Sequence, residues 1–556
     1  MSRLEQHNLD GPIEDHVIAR LEELAPHIQG IVVSDFVYGV VTPRVLSTVQ
    51  ALAKRYNLMI FGDLQCSSQV GSVLKFKNFI NNKWVDPVTE KYFESTSPAN
   101  NDEILGLFAS SDAQDANIAI NSAYDGFQSW KKTSQIVRGE YLYKASSWLE
   151  QNSSRYAEAI TKECGKSILE ANGEVGRSIA LLKYYAAQGS DPMGDVVPSV
   201  NPNILLYTTK VPIGVVGLIT PWNFPLAIPI WKMAPAIVFG NTIVHKPASS
   251  TPLLGKMIAE MWEASDLPSG VYNLVTGSGS ELGDSIIDHP YTSALSFTGS
   301  TYIGQSIAVK CAKNGMKYQL EMGGKNPIIV MPDANLEQAA EITLSGAMKY
   351  SGQKCTATSR AIVSKDVKKD FTEILLNKFK ELKVGDGMDS ENVVVPVIDK
   401  KSLTNISEKI KAGINEGSRL IFGGEILDDQ DYKNGNYVQP TLFDNVDPKS
   451  LIATEEIFGP VLGLIDADDY EQCIKIANDT SYGLSAGIFT SNLNLAMEFA
   501  NNINAGIVKI NGETAGVEPQ VPFGGMKESS SGAREQGKSA VDFFTQTKTI
   551  YVERSA

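Results

Sequence analysis

The stretch SGQKCTATSR, residues 351–360, sets one cysteine between a Gly-Gln-Lys loop and a run of small hydroxyl residues. Cys355 is either a buried filler or a nucleophile. A nucleophilic cysteine forms a covalent intermediate, but only as its thiolate, and a free thiol with a pKa of about 8.5 is a few per cent thiolate at neutral pH. Histidine, the common activating partner, is scarce: the chain has only His7, His16, His27, His245 and His289. A Cys–His or Ser–His–Asp relay therefore has few candidates, and an activated Cys355 would have to draw on other groups.

Two glycine clusters could cradle phosphate. GSGSELG, which holds Gly279 and Gly283, is close to a dinucleotide fingerprint but one residue too long. GSTYIG begins with Gly299 and Ser300, follows ALSF and opens an apolar helical pattern. A helix start exposes unpaired N–H groups and a partial positive charge, which suit an anion. Both clusters are equally open to a reading as plain turn glycines. Lys246, in HKPASS, closes a strand pattern; it either reaches a ribose hydroxyl or phosphate, or is an ordinary solvated lysine.

Chemistry at strand ends needs a sheet to present it. GVVGLIT, NTIVHKP, VYNLVTG and ALSFTGS read as strands, with helical patterns such as PLAIPIWKMAPAIVFG and TPLLGKMIAEMWEAS between them. That alternation predicts a parallel sheet wrapped by helices. PIIVM, RAIVSK, RLIFGG, VLGLIDA, SAGIFTS and GIVKING form a second series and predict a second α/β domain. No short internal repeat is visible.

With 556 residues, 43% of them apolar, the chain can fill two or three domains. A formal charge of −15 disfavours nucleic acid and anionic membranes as partners. Cys66, Cys164, Cys311, Cys355 and Cys473 are scattered, odd in number and form no C-x-x-C, which argues against a disulfide framework and a metal site. No apolar run suggests a transmembrane helix, and the charged N-terminus lacks a signal peptide's apolar core. The expected location is cytoplasmic.

Residues 1–73 hold four Arg and one Lys, whereas 74–556 hold seven Arg and thirty-seven Lys. No fold requires such a switch, so two pieces of different origin are expected to meet near residue 73. IQGIVVSDFVYGVVTPRVLSTVQALAKRYNLMIFGDLQ reads as a βαβ-like unit. It resembles an internal segment of the ribokinase-like sugar kinases but lacks their Gly-x-Gly-Asp motif, so a fused remnant or appendage is expected.

From about Phe79 onward, TPWNFPL, KPAS, FTGS, LEMGGKNP, GQKC, EEIFGP and PFGG stand in one order, with Glu321 preceding Cys355 by 34 positions. The chain thereby resembles the aldehyde dehydrogenase superfamily. The resemblance implies an α/β fold with a Rossmann-like cofactor domain (74–190 and 213–323), an α/β catalytic domain (324–523) and a small β oligomerisation flap (191–212 and 539–556). It implies Cys355 as nucleophile, Asn223 as oxyanion donor and Glu321 as general base. For the cofactor it implies Thr220, Trp222, Lys246, Ser249, Gly279, Gly283, Gly299, Ser300, Glu456 and Phe458. Many NAD-preferring members carry Glu where this chain has Ser249. A hydroxyl accepts a 2′-phosphate that a carboxylate would repel, so NADP is expected ahead of NAD.

Within the superfamily, KYQLEMGGKNPIIV and GQKCTATSR most resemble the branch that oxidises 2-oxoglutaric semialdehyde. Succinic semialdehyde and a broad aldehyde range are the alternatives; transfer to coenzyme A and a non-catalytic scaffold are the rival classes. A carboxylate on the substrate would call for a cationic anchor, and Arg360 and Lys232 are the candidates. A homodimer or homotetramer is expected from the flap.

Overall fold

The computed structural model describes residues 11–28, 30–35, 43–56, 59–64 and 74–554. It divides into two compact units, Met1–Leu74 and Lys75–Ala556. In the first, strands Gly30–Asp35 and Met59–Leu64 pair in parallel around helix Pro43–Tyr56. That is the βαβ unit read from the sequence. A further helix, Gly11–Leu24, precedes it and was not anticipated. Ile31 and Val49 form its small core, with Leu21 and Ile28 against them.

The larger unit is built on two sheets. The first has eight strands, in the order Ser530–Gly532, Lys317–Glu321, Thr292–Thr298, Val215–Ile219, Thr242–Lys246, Tyr272–Leu274, Asn78–Ile80 and Lys83–Val85. The five strands from Lys317–Glu321 to Tyr272–Leu274 run parallel; the outer ones are antiparallel. Thr242–Lys246 is buried at every residue, as a central strand covered on both faces must be. Val215–Ile219 sits between the later strands Thr292–Thr298 and Thr242–Lys246, so connections leave it in opposite directions. Such a reversal opens a crevice beyond the carboxyl ends of the two strands that flank it.

The second sheet has seven strands, in the order Arg419–Phe422, Thr441–Asp444, Val461–Ala467, Thr358–Ser364, Asn326–Val330, Ser485–Phe489 and Ile507–Ile510. All pairs are parallel except the first. The strands Lys317–Glu321 and Thr441–Asp444 were absent from the sequence reading. So was the return of Ser530–Gly532 to the edge of the first sheet.

A separate three-stranded sheet pairs Thr545–Glu553 with Ile204–Pro212 along nine residues and adds Val196–Val197. Val196, Val197, Leu205, Tyr551 and Val552 are exposed on it. Among the described residues no helix is long and apolar enough to cross a membrane.

Candidate active site

Cys355 lies in the loop that enters strand Thr358–Ser364. Three consecutive residues before it, Tyr350, Ser351 and Gly352, have φ of 53°, 49° and 66°. Left-handed backbone costs a non-glycine residue about 1–3 kcal/mol and persists only where the surroundings hold it. Here they do. The Tyr350 hydroxyl donates to the Cys164 carbonyl at 3.2 Å, and Ser351 Oγ accepts from the Val395 amide at 2.9 Å. Gln353 accepts from the Ile398 amide at 2.9 Å and donates to the Pro396 carbonyl at 3.2 Å. Gly352 could be nothing larger, because a Cβ there would stand 2.3 Å from the Gly459 carbonyl oxygen. Asn326 fixes the far side, donating to the Cys355 and Ala357 carbonyls at 2.8 Å each.

The sulfur is half-buried. Burial, then the Glu456, Glu321 and Glu535 carboxylates, push the Cys355 thiol up to about 12, while the Thr356 amide favours the thiolate. The surroundings alone therefore keep the thiol protonated. His245 is remote from this chemistry: its ring bonds the Thr220 and Tyr272 hydroxyls at 2.9 Å each, and burial lowers it to about 3.

A cleft of about 280 Å³ opens at the crevice of the first sheet. Pro221, Trp222 and Asn223 line it from the end of one strand, and Thr298, Gly299 and Ser300 from the end of the next. Cys355, Glu456 and Phe458 complete the wall. Phe458 sits at φ 58° with its ring edge-on to Trp222, centroids 5.4 Å apart. Glu456 accepts from the Gly324 amide at 3.0 Å, and burial raises it to about 7. Helix Thr301–Lys313 starts at Ser300 with no side-chain cap, leaving its first N–H groups to be met by another acceptor. The cleft thus suits a ligand with a flat ring near Cys355 and an anionic group at that helix start.

Asn223 is buried, and its Nδ2 donates to the Gln353 carbonyl at 3.2 Å, which ties it to the cysteine loop. The Asn223 carbonyl accepts from Lys166 Nζ at 2.9 Å; Lys166 also pairs with Glu174. Glu174 in turn accepts from the Leu226 and Ala227 amides, at 2.9 and 3.0 Å, where helix Ala227–Val238 begins. Every residue of that helix is buried, so its free N–H groups need such a partner. Lys166 and Glu174 were missed in the sequence. KECGKS carries a basic residue in small-residue surroundings, but nothing in the text links it to Asn223.

Glu321 ends its strand and is buried, but it is not among the residues lining the cleft. Ser530 Oγ donates to its Oε2, while Oε1 has no partner among the described residues. Burial, then the nearby Glu535 carboxylate, raise its pKa well above the usual range; Ser530, Lys232 and Arg534 oppose them. Lys232 pairs with Glu535 and donates to Ser296 Oγ at 2.8 Å.

The expectation that Lys232 or Arg360 anchors a substrate carboxylate fails. Lys232 is fully buried and committed to Glu535. Arg360, also fully buried, donates to the carbonyls of Lys325, Ile476 and Ala477 at 3.2, 3.2 and 3.0 Å.

The remaining expected residues gather at the ends of neighbouring strands. Thr220 follows strand Val215–Ile219 and is buried against His245. Lys246 donates to the Pro247 carbonyl at 2.8 Å, and burial lowers it to about 8. Ser249 donates to the Gly277 carbonyl at 2.9 Å. A Cβ on Gly279 would come within 3.9 Å of Lys246 Cε. At Gly283 a Cβ would meet nothing within 4 Å, so the protein alone does not demand glycine there.

The pattern of the aldehyde dehydrogenase family matches residues 84–550, and the chain belongs to that family, whose members oxidise aldehydes with NAD or NADP. In particular, the chain is 48% identical over 478 residues to alpha-ketoglutaric semialdehyde dehydrogenase of Bacillus subtilis (strain 168), covering 86% of this chain and 98% of that one. Among solved structures, NAD-dependent aldehyde dehydrogenase from Sinorhizobium meliloti matches with a TM-score of 0.84 at 31% identity, over 87% of this chain and 96% of that one. A 3,6-anhydro-L-galactose dehydrogenase in complex with NAP matches with a TM-score of 0.84 at 35% identity, over 86% and 100%. The likeness of residues 1–73 to a sugar kinase gains no support from these comparisons.

Proposed function

We propose that this chain oxidises 2-oxoglutaric semialdehyde to 2-oxoglutarate, with Cys355 as nucleophile, Asn223 as oxyanion donor and Glu321 as general base. The observation that carries the catalytic part is the meeting of Asn223 and Cys355 on one cleft at the switch point of the first sheet. The substrate rests on the likeness to the Bacillus subtilis enzyme.

The Cys355 thiolate adds to the aldehyde carbon. The oxygen of the adduct accepts hydrogen bonds from Asn223 Nδ2 and the Cys355 amide, one such donor lowering the barrier by roughly 3–4 kcal/mol. A bound oxidised dinucleotide would supply positive charge beside the sulfur and a hydride acceptor, so that Cys355 is left carrying a thioester. Glu321 then removes a proton from the water that attacks the thioester carbon. The carbon–sulfur bond breaks, the acid leaves and the thiolate returns. Burial, by raising its pKa, makes the Glu321 carboxylate a stronger base than an exposed one.

Trp222, Gly299, Ser300, Glu456 and Phe458 would hold the nicotinamide end of the dinucleotide, and Thr220, Lys246, Ser249, Gly279 and Gly283 the rest. NADP is the preferred form: Lys246, whose charge burial disfavours, would hold that charge more firmly beside a 2′-phosphate, and Ser249 offers a hydroxyl where a carboxylate would repel. The first sheet would form the cofactor domain and the second the catalytic domain. The three-stranded sheet would pair with a second copy, because its exposed apolar strands are otherwise an aggregation hazard.

The test is turnover of the purified chain with a panel of semialdehydes, NAD and NADP supplied separately, with and without coenzyme A. Rapid formation of free 2-oxoglutarate, fastest with NADP and indifferent to coenzyme A, is expected. Equal rates on acetaldehyde and 2-oxoglutaric semialdehyde would sink the substrate assignment.

A further inference from the structure

A second cavity, of about 720 Å³, shares no lining residue with the first. Its lining includes Ile507, which with Leu484 and Phe523 forms a small buried cluster, and Val517, which packs against that cluster as Cys355 does. Arg177, on helix Ile168–Ala187, faces the same space. The cysteine lines the first cleft and packs against the cluster that Ile507 carries to the second cavity, where the guanidinium stands.

Arg177 is held but not neutralised. Its Nη2 donates to Gln536 Oε1 at 2.9 Å, and its Cζ lies 5.8 Å from the ring centroid of Trp231. Trp231 in turn stacks obliquely on Phe523 at 5.3 Å, and Phe523 belongs to the cluster against Cys355. Among the described residues no carboxylate pairs with Arg177 within 4.0 Å, and Glu174 on the same helix is committed to Lys166. The amide nitrogen of Gln536, fully buried, has no acceptor among the described residues. A half-buried cation on an aromatic face, with no carboxylate hydrogen-bonded to it among the described residues and only the Lys166-paired Glu174 acting on its charge, is an environment an anion completes.

We infer that Arg177 is the carboxylate anchor of the substrate and sets the preference for acid-bearing aldehydes; this rests on the substrate reading above. A planar fork of N–H groups receives a carboxylate in two parallel hydrogen bonds, and Gln536 holds the fork in place. Two other charges share the cavity. Lys509 donates to the Gly516 carbonyl at 2.6 Å, and Glu518 is exposed and accepts from Gln520. Neither has the buried aromatic seat of Arg177. Glu518 opposes an incoming anion from the outer side, which leaves Arg177 as the group that must overcome it.

The experiment compares kcat/KM for 2-oxoglutaric semialdehyde with that for butanal in the wild type, Arg177→Gln, Arg177→Lys and Lys509→Gln. Losing one partner of a desolvated charge pair costs a factor of about 30 or more. Arg177→Gln should lower the ratio of the two constants by that factor, through KM, with Arg177→Lys intermediate and Lys509→Gln near the wild type. An equal loss on both aldehydes, or a ratio that follows Lys509 instead, would overturn the assignment. A wild type that itself shows no preference for the acid-bearing aldehyde would overturn the substrate reading, and the anchor with it. Modification of the unaltered enzyme by phenylglyoxal gives a check that needs no variant. Glutarate should protect Arg177, seen by peptide mass, and labelling at the same rate with and without glutarate counts against the proposal.

Discussion

The cleft that holds Cys355 and the cavity that holds Arg177 are made of different materials. The cleft proposed for the dinucleotide is shaped by backbone: strand ends at a switch point, an uncapped helix start and Phe458 in left-handed conformation. The other cavity is walled by Arg177 from a helix and by residues from 506–522, with Arg177, Lys509 and Glu518 as its charges. Backbone geometry changes only with the fold, whereas a side chain can be exchanged without moving its neighbours. Chemistry should therefore fail when the first wall is altered, and selectivity when the second is.

The sharpest way to break this division is at the sulfur in the first wall. Cys355→Ala should lower kcat by about four orders of magnitude or more, the loss typical of removing a nucleophile. The loss should be the same for acid-bearing and neutral aldehydes. Titration of protein fluorescence with NADPH should give an unchanged Kd. Turnover near the wild-type rate would remove the cysteine from the mechanism.

Next comes the cleft wall. Asn223→Ala should cost about 10²–10³ in kcat with KM little changed, because the side chain acts on charge that exists only in the transition state. Circular dichroism should show an intact fold, since the variant loses the one bond from Nδ2 to the Gln353 carbonyl but keeps the Lys166 bond to the Asn223 carbonyl. A rise in KM alone would make Asn223 a binding group only.

The same contrast explains what could be read from the text. GQKC, LEMGG, TPWNFPL and EEIFGP carry glycine, proline and aromatic residues whose backbone demands leave a trace in sequence, and Cys355, Asn223, Glu456 and Phe458 do meet on one cleft. The strands with continuous apolar runs were legible in both sheets; the short Asn78–Ile80, Lys83–Val85 and Thr441–Asp444 were not. Lys317–Glu321 was not, because its KYQLE text mixes polar residues into a strand whose far edge is covered by Ser530–Gly532. Lys232 and Arg360 were misjudged because a lone cation in sequence does not reveal its partner. Glu535 lies 303 residues from Lys232, and the carbonyls that hold Arg360 come from two separate segments. Arg177 escaped for the same reason: its surroundings come from the distant 506–536 region.

A smaller effect sharpens the division within the cofactor region itself. Ser249→Glu places a carboxylate where a 2′-phosphate is proposed to bind. Like charges brought together cost several kcal/mol, so the kcat/KM ratio of NADP to NAD should fall by about 10²-fold. Discrimination between aldehydes should stay as it is, because the second cavity is untouched. Steady-state kinetics with both dinucleotides decide this, and an unchanged ratio would place the 2′-phosphate elsewhere.

The smallest effect is a matter of protons. Ser530 donates to Glu321 and favours its charged form, against burial and Glu535. Ser530→Ala removes that help, so the pKa of Glu321 rises further. General-base action needs the carboxylate, and the acid limb of the thioester-hydrolysis rate should move to higher pH, with the plateau reduced less than about tenfold. Stability carries the same sign. A carboxyl group whose folded pKa lies above its unfolded value contributes stability below the unfolded pKa, and that contribution is lost as pH rises through the folded one. In the variant the charged form lacks a hydrogen bond worth about 1.5–3 kcal/mol, whereas the neutral form loses only about 0.5–1.5 kcal/mol. The gap in Tm between variant and wild type should therefore widen as pH rises. A constant gap, together with an unmoved acid limb, would mean that Glu321 is not the group that titrates during hydrolysis.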